Sequence, residues 1–190
     1  MSNYFYLIEK ARDDISKLWY ANIKYALILG SICGLLYLIH TILRHKPKWQ
    51  TIPVFLLGTY GYYIYAATVM TREPGSRRNI NLVLFSTLTG YCPWFAIENL
   101  FMLLPMGLLL PMILRPARKW WFGPFAGFLL AFCIETLQHL TQTGHFELDD
   151  ILFNGIGELI GWILYKILER ICHIIVPDSS DKAKSRMSHI

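Results

Sequence analysis

The chain has 190 residues, 54% of them hydrophobic and only 16% charged, with a formal net charge of +5. Soluble domains carry about a quarter charged residues, so this balance excludes an ordinary water-soluble fold and points to a membrane-embedded one. The positive balance requires no nucleic acid, because Lys and Arg in membrane-flanking loops and the tail account for most of it.

The opening stretch, MSNYFYLIEKARDDISKLWY, lacks the short basic start, compact apolar run and small-residue site of a cleaved signal peptide. The first span is therefore expected to stay as an anchor. Before it, Tyr4, Leu7, Ile8, Ala11, Ile15 and Leu18 recur at helical spacing against Glu9, Lys10, Arg12, Asp13, Asp14 and Lys17, which predicts an interfacial amphipathic helix. Apolar runs follow at residues 25–43, 51–70, 99–114, 120–134 and 151–165, each long enough to cross a bilayer once its ends extend into the interface. A further run, INLVLFSTLTGYCPWFAI at 80–97, is broken by Asn81, Ser86, Thr87, Thr89, Gly90 and Pro93, and predicts a segment that lies along the membrane or re-enters it. The fold class expected is all-α: a polytopic transmembrane helical bundle of about five spans with an N-terminal amphipathic helix. Residues 1–50 form the leader and first span, 51–170 the main transmembrane domain, and 171–190 a short polar cytoplasmic tail.

With five spans, one side holds Arg44, Lys46, Lys48, Arg115, Arg118, Lys119, Lys166, Arg170, Lys182, Lys184 and Arg186, which places it inside. The loop at 143–150 carries Glu147, Asp149 and Asp150 without Lys or Arg, and falls outside. Cys33, Cys92, Cys133 and Cys172 are dispersed, without zinc-type spacing, and read as structural thiols. Walker-type, HExxH and GxSxG signatures are absent, so no catalytic residue is assigned and an enzyme is not the leading expectation.

The polar residues of CIETLQHLTQTGHFELDDILFNGIGELIG, residues 133–161, need a separate account. Glu135 and Gln138, three apart, share a face near the end of the fourth span. On the fifth, Asp150, Asn154, Gly157, Glu158 and Gly161 form one polar or small stripe. The GxxxG spacing of Gly157 and Gly161 predicts close packing of the fourth and fifth spans, with Asn154 hydrogen-bonding across the contact. Asp149 or Asp150 has a plainer reading as the cap of the fifth span's helix. Capping and packing do not explain the carboxylates Glu135 and Glu158. A carboxylate costs about 3 kcal/mol at the bilayer centre, so an intramembrane one is a candidate for function. His139 and His145 read as hydrogen-bonded interface residues, and neither a metal nor another cofactor is called for.

ETLQ followed by TGHFELDDILFNGIGELIG resembles the signature of the VanZ-like family of bacterial integral membrane proteins. The resemblance covers Glu135, Gln138, Asp149, Asp150, Asn154 and Gly157. It extends to Arg78, Asn81, Leu82 and Phe85 in RNINLVLF, and to Asn99, Pro105, Gly107 and Pro111 in ENLFMLLPMGLLLP. Leu84 stands where a proline is common, His145 beside the usual position of an Arg, and Glu158 where a small or apolar residue is usual.

The resemblance implies a multi-pass cell-membrane protein and, from the founding member, lowered susceptibility to teicoplanin-type glycopeptide antibiotics. Arg78, Asn81, Asn99, Glu135, Gln138, Asp149, Asp150 and Asn154 are the candidate pocket, facing outward, with Arg78 expected to pair with Glu135. The partners expected are membrane lipid and a lipid-linked wall precursor or glycopeptide. A membrane enzyme acting on an envelope lipid, with Glu135 or Asp150 as general acid or base, and a small proton-coupled transporter are the alternatives.

Overall fold

The computed structural model describes the backbone of residues 2–45, 48–75, 79–90 and 93–175, and the side chains of 16, 17, 20–45, 48–75, 79–89 and 93–172. The molecule is all-helical: α1 (Ser2–Leu43), α2 (Thr51–Tyr65), α3 (Ser86–Gly90), α4 (Pro93–Ile113), α5 (Phe122–Thr141) and α6 (Leu148–Ile175). Two residues of β1 (Ile80–Asn81) pair in parallel with β2 (Phe146–Glu147). Among the described residues four stretches are long and apolar enough to cross a membrane: Tyr20–Leu43 near the N-terminus, Lys48–Met70, Pro93–Ile113 and Leu148–Cys172. The apolar run at 120–134 forms α5, whose last two turns take in Glu135, Thr136, Gln138 and His139. The side chains of the amphipathic face expected at residues 4–15 lie outside those described.

Small residues set the helix contacts, because without water in hydrocarbon, close backbone approach is what holds helices together. Gly30 and Gly34 of α1 lie against Phe55 and Thr59 of α2, and Gly58 lies against Cys33. Tyr37 and Gln50 hydrogen-bond at one end of this pair, and Tyr62 Oη donates to Asn22 Oδ1 (3.3 Å) towards the other.

The expected contact of Gly157 and Gly161 with the fourth span is corrected. A Cβ at Gly157 would collide with the Leu100 carbonyl and one at Gly161 with the Leu104 carbonyl, both on α4, while one at Gly107 would collide with the Glu158 carbonyl. The opposite face of α6 meets α5, with Gly155 under Phe128, Glu158 over Gly127 and Trp162 over Gly123. The last helix is thus wedged between two neighbours by glycines on both faces. Ile64, Leu103, Ala131 and Ile134 form the buried core where α2, α4 and α5 meet, flanked by Met102, Met106 and Ile151.

Pro105 and Pro111 lie inside an unbroken α4. Each removes a helical N–H donor, and beside Pro105 the Tyr60 hydroxyl lies near the carbonyl released, that of Phe101. Tyr60 Oη donates to Met102 O (3.0 Å) and lies 3.5 Å from Phe101 O, and Arg118 Nε donates to Pro111 O (2.9 Å). The 80–97 run divides into β1, a connecting loop, α3 and the first turn of α4.

Candidate functional site

The lower part of α2 ends in a π-helical turn, Ala66–Met70, in which Thr71 N reaches back five residues to Ala66 O (3.1 Å). Such widened turns alter the direction in which the following chain leaves and are common at functional sites. Arg72 emerges directly after it, its Nε donating to Ala67 O (3.2 Å). The C-terminus of α5 arrives at the same end of the bundle. Gln142 at its cap is left-handed (φ 58°), and Thr143 N folds back to Gln138 O (2.9 Å).

Glu135 and Gln138 are buried, only 1% and 4% exposed. A guanidinium only donates and a carboxylate accepts, so the Gln138 amide is oriented with its oxygen to Arg72 and its nitrogen to Glu135. In that orientation it accepts from Arg72 Nη1 (3.0 Å) and donates to Glu135 Oε1 (2.8 Å). The opposite orientation would direct the nitrogen to Thr68 O at 3.3 Å instead. The other carboxylate oxygen, Oε2, accepts from Glu147 N (3.2 Å), the residue that β2 holds beside Asn81. Asp150 starts α6 close by, and its Oδ1 accepts from Asn99 Nδ2 on α4. Arg72 acts electrostatically on Glu98, Glu135 and Asp150, and Asp150 acts on Glu135. The cluster can therefore receive an anionic group at Arg72 and hydroxyl or ammonium groups at its carboxylates.

Asn99, Glu135, Gln138 and Asp150 meet here, and the other candidate residues lie elsewhere. Arg78 is outside the described residues, and with it the expected Arg78–Glu135 pair; among the described residues the cation bridged to Glu135 is Arg72. Asp149 caps a different helix from the one expected. Its carboxylate accepts from Phe85 N (2.6 Å), Thr87 N (2.9 Å) and Ser86 Oγ (3.3 Å), closing the N-terminus of α3. Asn81 shapes the same loop, accepting from Val83 N (3.1 Å) and donating to Ser86 Oγ (2.9 Å). Asn154 makes no hydrogen bond across a helix contact among the described residues and lies one turn further along α6, fully buried. Gly157 and Gly161 serve the α4 contact. Among the described residues no group of three or more His, Cys, Asp or Glu is arranged to hold a metal.

Sequence reasoning missed Arg72 and the Glu147 amide. For Arg72 a signal existed: it is the first basic residue after the apolar run that precedes the loop, on the side assigned to Glu135 and Asp150.

A family model described as VanZ/LLP1 matches residues 52–169. The chain belongs to the VanZ/LLP1 family. No curated protein and no solved structure gives a significant match. With four candidate membrane-spanning helices, this VanZ/LLP1 chain is a multi-pass membrane protein. The matched region begins within α2 and ends in α6, so it takes in every residue of the cluster and leaves α1 outside.

Proposed function

We propose that the cluster of Arg72, Asn99, Glu135, Gln138 and Asp150 opens at the outer face of the cell membrane. There it engages the polar head of an amphiphilic envelope component, a lipid-linked wall precursor or a lipophilic teicoplanin-type glycopeptide, and so lowers glycopeptide susceptibility. In this reading α5 is a fifth crossing, since it runs between the same two ends of the bundle as α4 and α6. The observation that carries the reading is the neighbour of the cluster. Leu82, Val83, Leu84 and Phe85 are 62%, 66%, 50% and 50% exposed on the loop that Asp149 clamps, and an exposed apolar segment beside polar groups suits an amphiphile at the membrane boundary. The orientation is supported by Arg44, Lys48, Arg115, Arg118, Lys119, Lys166 and Arg170 at the opposite end.

The test is the glycopeptide and lipoglycopeptide susceptibility of a deletion strain, complemented with wild type or with Glu135→Gln. Deletion should raise susceptibility, wild type should restore it, and Glu135→Gln should not. Unchanged susceptibility on deletion would remove the antibiotic role.

One observation favours a second reading. Asp150 is close enough to act on Glu135 beside Arg72, an arrangement suited to general acid and base work on an envelope lipid. Lipid extracts of the deletion strain separate the two, because only an enzyme leaves a substrate accumulated.

A further inference from the structure

Asp150, Asn154 and Glu158 stand four residues apart along one face of α6, each about 6 Å further from the polar end of the bundle. Asn154 is 0% and Glu158 1% exposed, and both polar atoms of each side chain are without a hydrogen-bond partner among the described residues. The room for Glu158 is made by Gly127, where a Cβ would stand 2.5 to 2.6 Å from the Glu158 Cγ, Cβ and Cδ. A leucine would fill comparable space without the cost of about 3 kcal/mol that a carboxylate adds at the bilayer centre. Packing therefore does not account for an acid here.

Among the described residues no counter-ion does either. The described titratable groups on the helices packed around it are Glu98 on α4, Cys133, Glu135 and His139 on α5, and Asp149, Asp150, Tyr165, Lys166, Glu169, Arg170 and Cys172 along α6. None of these hydrogen-bonds to Glu158 or pairs with it as an opposite charge. A buried carboxylate with no cation takes up a proton rather than stay charged.

We propose that Glu158 is an internal proton-binding site, connected by Asn154 and Asp150 to the end of the bundle that holds Arg72 and Glu135. A proton enters at Asp150, passes along hydrogen-bonded water beside the Asn154 amide, neutralises the Glu158 carboxylate, and leaves by the same route. Steps of about 6 Å are within the reach of a single bridging water in a polar setting. Towards the other end the route is closed, because Gly161 is pressed against Leu104 and Trp162 is fixed by its hydrogen bond to Ala117 O (2.9 Å) before Tyr165 is reached. The site does not depend on what the outer cluster binds.

Infrared spectroscopy of the full chain in detergent tests this through the carbonyl stretch of a protonated carboxylic acid. One component of the band should be present at neutral pH, shift on transfer to D2O, and be lost in Glu158→Gln with thermal stability retained. Asn154→Leu should slow the D2O shift severalfold, and the isosteric Asp150→Asn should slow it as well, so that a folding failure of the first leaves the second as the test. A wild-type band that never shifts in D2O would make Glu158 a sealed packing group. A Glu158→Gln band identical to wild type, or exchange as fast as wild type in every folded Asn154 and Asp150 variant, would overturn the proposal.

Discussion

At Gln138 one amide serves a cation and an acid at once, so Arg72, Gln138 and Glu135 act as a unit. A cycle of Arg72→Leu, Glu135→Leu and both, scored by thermal stability in detergent, should show coupling of about 0.5 to 3 kcal/mol, the double variant being less damaged than the sum of the singles. Strict additivity would mean that Gln138 does not transmit between them. Asp149 makes a separate prediction. Asp149→Ala removes the acceptor of three hydrogen bonds to the start of α3 and should cost about 1 to 3 kcal/mol, with faster amide exchange confined to the neighbourhood of residues 82–89. Exchange unchanged there would detach the carboxylate from the loop. The acidic pair was visible in the sequence, but its partner was not: local spacing describes a cap for the helix that follows, whereas Asp149 reaches a helix more than 60 residues upstream. Arg72 escaped for a related reason. Its direction is set by a π turn, and one extra residue in a turn leaves no periodic trace.

Between helices, GxxxG spacing in α6 announced a close approach without naming the neighbour. Two helices flank α6, and glycines answer on both sides: Gly107 on α4, Gly123 and Gly127 on α5. Gly161→Leu should therefore separate α6 from α4, with a loss of about 1 to 3 kcal/mol measured by thermal stability in detergent. Gly61→Ala is the control, since a Cβ there meets nothing within 4 Å and should be neutral or slightly stabilising. Equal behaviour of the two variants would place the contact elsewhere. The apolar runs located the helices because hydrocarbon thickness fixes their length. The sequence left α5 less distinct, since its final turns exchange apolar residues for Glu135, Gln138 and His139, which face the polar end of the bundle.

For the molecule as a whole, the end with Arg72 and Glu135 and the end rich in Lys and Arg should lie on opposite sides of the membrane. Single cysteines at Gly144 and at Lys119, in a background lacking Cys33, Cys92, Cys133 and Cys172, check this with an impermeant thiol reagent in intact cells. Only position 144 should label. The reverse pattern would turn the cluster inward and remove the outer-face reading. Family membership was legible from Glu135, Gln138, Asp150 and Asn154 because these residues lie close together in sequence. Their common meeting place with Asn99 and Arg72 was not, since it depends on α2, α4, α5 and α6 ending together.

Asp149, Asp150, Asn154 and Glu158 all fall in the first eleven residues of α6. A helix presented alone to the insertion machinery is judged on its own side chains, and each acidic residue near its centre counts against entry by about 2.5 to 3.5 kcal/mol. What shelters Glu158 is the glycine-lined slot between α4 and α5, with Gly107 on one side and Gly127 on the other, which exists only once those helices have met. The order of biosynthesis therefore matters to these acids: α6 is apolar enough to enter the bilayer, but its Glu158 is sheltered only once α4 and α5 are in place.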